Sequence, residues 1–167
     1  GVAAAGVSAH FGLDKSSLGL FFSAAILGLL PGGLIGGRLG DRIGRKKVLI
    51  IAVALFGLFS ILTAWVTSYS GLLFARFMTG LGLGAALPNL VALASESVSD
   101  KARGRAISLM YCGMPIGGIA VSLLASTQLA ADWKVIFYVG GVLPLMVIPL
   151  MMAFLPESRA FLATQQS

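Results

Sequence analysis

Ionisable side chains are scarce in this sequence: 12 Lys and Arg, 6 Asp and Glu and one His among 167 residues. A soluble domain must cover its core with polar groups, and a chain that is 57% hydrophobic and 11% charged has too few to do so. Thiols are scarcer still. The lone Cys112 excludes an internal disulfide and reads as a small packing residue in an apolar helix. One His, one Cys and scattered acids exclude a metal cluster and a nucleophilic triad, and no phosphate-binding loop is present. The sequence therefore predicts neither an enzyme nor a bound cofactor. It also shows no basic start followed by a cleavage site, so no signal peptide is expected in it.

What is abundant is uninterrupted apolar sequence. Uncharged runs cover 16–37, 48–75, 77–95, 106–131 and 135–156, and mean hydropathy is +0.96. A bilayer core about 30 Å thick takes about 20 apolar residues of helix, so lipid is the expected solvent. The stretch TSYSG at 67–71 offers a turn that splits the longest run. Spans are expected at 17–37, 48–66, 72–94, 105–129 and 135–155, an all-α integral membrane bundle. The short alternating segments of a β-barrel are not seen. Residues 1–9, GVAAAGVSA, are too few to cross a membrane and read as the end of a further helix. Residues 10–16 then form a loop, and 156–167, opened by Pro156 and Glu157, a polar tail or the start of a linker.

The net charge of +6 would suit nucleic acid if the cations lined a polar face. They sit instead at the edges of the spans. Arg38, Arg42, Arg45, Lys46, Lys47, Lys101, Arg103, Arg105 and Arg159 fall at one side of the predicted bundle, while the alternate loops hold only Lys15 and Lys134. By the positive-inside rule the first side is cytoplasmic, leaving His10, Asp14, Lys15, Tyr69 and Asp132 outside.

Orientation explains the cations of GRLGDRIGRKK at 37–47 but not its glycines or its acid. Gly37 and Gly40 would allow close backbone approach at a helix end, and Gly44 a reversal with positive φ. Asp41 can pair with Arg42 or Arg45. The pattern resembles the major facilitator superfamily signature G-x-L-[GA]-D-R-x-G-R-[KR]-[KR] between the second and third helices. Gly37, Leu39, Gly40, Asp41, Arg42, Gly44, Arg45, Lys46 and Lys47 match its fixed positions. The resemblance implies that Asp41, Arg42 and Arg45 act in a latch that favours the outward-open state, as gating residues rather than substrate ligands. It makes the chain the end of helix one through helix six of an N-terminal helix bundle, with the C-terminal half of the transporter as its missing partner.

Further stretches, GVAAAGVSAHFGLDKSSLG, ARFMTGLGLGAALPNLVALASE and SLMYCGMPIGG, resemble the aromatic acid:proton symporter family. That resemblance implies proton-coupled uptake of an aromatic carboxylate such as 3-hydroxyphenylpropionate across a bacterial inner membrane. The family's acidic motif in the first helix has no counterpart in these residues. Two other readings stand beside it: a carrier of the same superfamily for a sugar or a drug, and a membrane binding domain that transports nothing.

Arg76 is the one ionisable residue well inside a predicted span. An intramembrane charge is costly unless paired or hydrated, so a functional role is the default. It opens RFMTGLG, which resembles the family pattern R-x-x-Q-G-x-G with Thr79 in place of Gln. Arg76 either meets a carboxylate, from substrate or from the acidic motif, or snorkels to the outer interface. Gly80, Gly82 and Gly84 follow with no preceding strand, so they read as helix packing rather than a nucleotide fingerprint. Asn89, after Pro88, is placed to bond either a neighbouring helix or a substrate. Tyr111 fits either a substrate contact or an interfacial anchor. Glu96 and Arg103 are expected partners of the gating cluster or plain solvated charges. Gly113 and Gly117 around Pro115, like Gly32/Gly36 and Gly33/Gly37 after Pro31, predict close packing and a bent helix.

Overall fold

The computed structural model describes residues 3–127 and 132–165, and seven helices occur among them. They are α1 (Ala4–Phe11), α2 (Lys15–Ile43), α3 (Arg45–Trp65), α4 (Tyr69–Glu96), α5 (Arg103–Ser126), α6 (Trp133–Phe154) and α7 (Arg159–Gln165). Five of these, α2 to α6, are long and apolar enough to cross a membrane. Residues 1–2 of the expected first helix, 128–129 of the expected fifth span and 166–167 of the tail lie outside the described residues.

Local chemistry sets the boundaries. Gly12, at φ 62°, ends α1 in the left-handed conformation, and the Asp14 carboxylate then accepts from Ser17 N at 2.8 Å to cap α2. The Ser17 side chain foremost, and then its backbone N–H, hold the Asp14 carboxyl below its ordinary value. Ser68 caps α4 by accepting from Gly71 N, so α4 starts at Tyr69, three residues before the expected 72. Most of the basic bracket is helical. α2 runs six residues past the expected end at 37, and the chain reverses only at Gly44, whose φ of 105° suits no other residue well.

Glycine spacing governs the packing. On α2, Gly28, Gly32, Gly36 and Gly40 recur every fourth residue and are buried against α4. Gly80 and Gly84 of α4 answer against Ala25 and Leu29 of α2, while Gly82 turns to Ala52 and Phe56 of α3. A Cβ at these positions would strike backbone atoms, except at Gly40, where it would meet the Asn89 side chain. α4 is therefore wedged between α2 and α3, and α3 packs on α6 through Gly57 and Gly141. The expectation of close packing holds at Gly32 and Gly36 but not at Gly37, which faces open space one residue out of phase.

Two apolar cores result. One, at the end opposite the basic bracket, joins Val7, Phe21, Ala64, Leu72, Trp133 and Phe137; the other, nearer the bracket, joins Leu49, Ala52, Ala85, Ala86 and Leu93. α5 touches α4 and α6 lightly and buries no residue. Among the described residues nothing lies within 4 Å of Gly113 or Gly117, so the close packing their spacing suggested is not made within these helices.

Candidate functional site

At the basic end, Asp41 in the last turn of α2 and Arg45 in the first turn of α3 face each other across Gly44. Arg45 Nη2 reaches Asp41 Oδ1 at 3.1 Å, while Nη1 lies 3.8 Å from Glu96 Oε1 at the end of α4. The buried Ser158 donates from Oγ to Glu96 Oε2 at 2.7 Å. Glu157 Oε1 accepts from the backbone N–H of Lys46 and of Ser158, each at 2.9 Å, so an acid beyond α6 caps the start of α3. Lys46 returns the favour, donating from Nζ to Met152 O at 2.9 Å in the last turn of α6. One charge network thus ties α2, α3, α4 and α6 together.

The sequence reading placed Arg45, Asp41, Lys46 and Glu96 in this cluster, and the structure brings them together. Arg42 is exposed, and Asp41 pairs with Arg45 instead. Arg103 bonds Asp100 at 2.8 Å and Ser95 O at 3.4 Å, beside the cluster. Glu157 and Ser158 were read only as the start of a tail. The signal for them was an acid directly after an apolar run, where it can meet a helix N-terminus.

Gly40 abuts Asn89, which takes one of the two partners its sequence position left open, a neighbouring helix. Its Nδ2 donates to Gly36 O at 2.9 Å and to Ala85 O at 2.8 Å, and it is 2% exposed. Thirteen residues from Arg76, or about 20 Å along the helix, it joins α2 to α4 rather than lining a site with Arg76. Tyr111 is exposed on α5 and does not line the cleft described next.

Arg76 stands seven residues inside α4, about two turns from Tyr69. Its Cζ lies 5.1 Å from the ring centre of Phe21 on α2 and 5.6 Å from that of Phe137 on α6. Buried Nε has no hydrogen-bond partner among the described residues. Two cavities of about 310 and 260 Å³ flank the guanidinium and share Phe22, Phe56, Arg76 and Thr79 as walls. The second also reaches Ser60, whose Oγ donates to Phe137 O at 3.2 Å, and Ile136. Thr79 Oγ1 donates to Ala75 O at 2.7 Å, which leaves its oxygen free to accept. The arrangement is one cation amid aromatic rings and two hydroxyls, suited to a planar apolar body carrying an acid.

The Phe residues around Arg76 escaped sequence reading because Phe is ordinary in any apolar span. At the same end, Tyr69 Oη donates to Ser17 O at 2.7 Å and the His10 ring lies 5.6 Å from that of Trp133.

Comparison with known proteins gives this geometry a setting. The profile described as Major Facilitator Superfamily matches residues 1–166. The chain is 54% identical over 167 residues to the 3-(3-hydroxy-phenyl)propionate transporter of Escherichia coli, covering all of this chain and 41% of that protein. It is 40% identical over 166 residues to the 4-hydroxybenzoate transporter PcaK of Pseudomonas putida, covering 99% and 37% respectively. The chain thus spans well under half the length of these relatives. Among solved structures, the inward-open xylose transporter XylE of Escherichia coli superposes with a TM-score of 0.82 at 22% identity, over 99% of this chain and 46% of that one.

Proposed function

Because the chain belongs to the Major Facilitator Superfamily, we propose that it is the N-terminal part of a secondary transporter that takes up an aromatic carboxylate with protons. Arg76 carries this reading: a guanidinium two turns inside an apolar helix, ringed by Phe21, Phe22, Phe56 and Phe137. The relatives named for aromatic acids supply the cargo class, at far higher identity than the xylose transporter, whose likeness speaks to fold alone.

Mechanistically, a carboxylate entering the cleft gains a charge-assisted bond to Arg76 in low-dielectric surroundings. No acid among the described residues lines the cleft. On the family resemblance, the proton-binding carboxylate is that of the first-helix acidic motif, which exchanges with substrate as the partner of Arg76 when a proton arrives. Transport needs two states whose balance shifts with bound substrate and proton, and the shift cannot exceed their differential binding energy. The network of Asp41, Arg45 and Glu96 is the latch between those states, on the cytoplasmic face of the bacterial inner membrane. The remaining half of the transporter closes the other wall of the pathway.

The test is uptake of radiolabelled 3-(3-hydroxyphenyl)propionate by cells expressing the full-length gene product, with and without a protonophore. Protonophore-sensitive accumulation is expected. No accumulation by a protein shown to be in the membrane would overturn the cargo, and accumulation indifferent to the protonophore would overturn the coupling.

A further inference from the structure

The two rings nearest Arg76 do work that a counter-ion could not. An arginine at this depth needs compensation for its lost hydration, and Nε finds no acceptor among the described residues. Phe21 and Phe137 bring their rings within the roughly 6 Å at which the negative face of a ring attracts a cation. They approach from different helices, α2 and α6, so the guanidinium is met from two separate elements of the bundle.

Each ring is itself fixed. Phe21 meets Phe22 edge-on with centroids 5.1 Å apart, and Phe137 meets Trp133 edge-on at 5.7 Å. The backbone behind Phe137 is pinned by Ser60, which donates to its carbonyl. Both side chains are buried, at 1% and 7% exposure, so neither is free to follow Arg76 if it moves.

We propose that Phe21 and Phe137 are positioning residues that clamp the charged Arg76 in place by their ring faces and leave its charge available to an exchangeable carboxylate, the substrate's or the titratable acid's. A carboxylate fixed in either position would neutralise Arg76 permanently and compete with both substrate and the exchangeable first-helix acid. An aliphatic side chain would fill the space without stabilising the cation. A ring holds the cation and still presents a net positive charge to the cleft. The inference rests on the reading of Arg76 as a carboxylate-binding cation, and it assigns these residues a role separate from contact with cargo.

The experiment is a double-mutant cycle on the purified full-length protein, read by melting temperature and by uptake kinetics. Phe137→Leu should lower the melting temperature more in the Arg76 protein than in an Arg76→Met background, because only the former loses a cation–ring contact. Phe21→Leu runs the same cycle from α2, should Phe137→Leu fail to fold. In uptake, Phe137→Leu should raise KM several-fold with kcat little changed, and Phe137→Trp should stay near the parent. Equal losses of melting temperature in both backgrounds would overturn the clamp, as would coupling in melting temperature with an unchanged KM. Coupling in melting temperature without any uptake of the aromatic acid would keep the clamp and overturn the cargo instead.

Discussion

The Asn89 side chain on α4 donates to the carbonyl of Gly36 on α2 at 2.9 Å, while its Oδ1 occupies the space that a Cβ on Gly40 would need. A buried amide in an apolar bundle is costly without partners, and both its N–H groups are used here. The amide therefore sets how closely α2 and α4 approach beside the bracket.

Gly40→Ala should destabilise the protein by about 1–3 kcal/mol, the usual range for forcing an atom into a packed contact. Asn89→Ala in the same molecule removes the obstructing oxygen and should recover part of the loss. Thermal unfolding of the single and double variants measures both. A double variant no more stable than Gly40→Ala would show that the contact is not what Gly40 serves.

Asp41→Asn should lower turnover more than substrate affinity. The carboxylate is 68% exposed and its pair with Arg45 is solvent-screened, so the folded state should change by no more than about 0.5 kcal/mol. On the proposed latch reading, its contact with Arg45 is made in one conformation and released in another. Initial rates of uptake across a range of substrate concentrations separate the two parameters. A raised KM at unchanged maximal rate would place Asp41 with binding rather than gating.

How much of this was legible in the sequence follows from the physics of each feature. Charge against an apolar background is loud, so the bracket, the five spans and Arg76 could be placed from residue types alone. Helix ends were harder: residues 38–43 look like a loop by charge, yet they are helical because arginine and aspartate at a bilayer edge need no change of backbone. Tertiary partners were hardest. Asn89 gave no sign of facing Gly36, and Gly37 looked equivalent to Gly36 although a one-residue step turns it 100° away from α4. Phe21 and Phe137 lie 116 positions apart, and nothing in either stretch points to the other.

Asp14 provides a control on pH. Its acceptance from Ser17 lowers its pKa below the unfolded value, so the cap's contribution is present above the unfolded pKa and is lost as pH falls through the lower, folded value. That window lies below about pH 4. Uptake between about pH 5 and 8 should then keep the same pH profile in Asp14→Asn, which can still cap the helix. A shifted profile would mean that Asp14 itself takes part in proton coupling.

Arg76→Ala should weaken binding of the aromatic acid by about 10- to 100-fold, which is what losing a charge-assisted hydrogen bond of about 1.5–3 kcal/mol predicts. The decisive comparison is with the amide analogue of the same acid. It keeps the ring and the hydroxyl but has no negative charge, so its weaker binding should be nearly indifferent to Arg76→Ala. Arg76→Lys should fall between, since lysine retains the charge and loses the planar fork that a carboxylate engages and that rings stack upon. Competition of each compound against labelled acid measures all three proteins on one scale. If Arg76→Ala weakened acid and amide alike, the guanidinium would be shaping the cleft rather than reading the carboxylate, and the charge would have to be met elsewhere in the transporter.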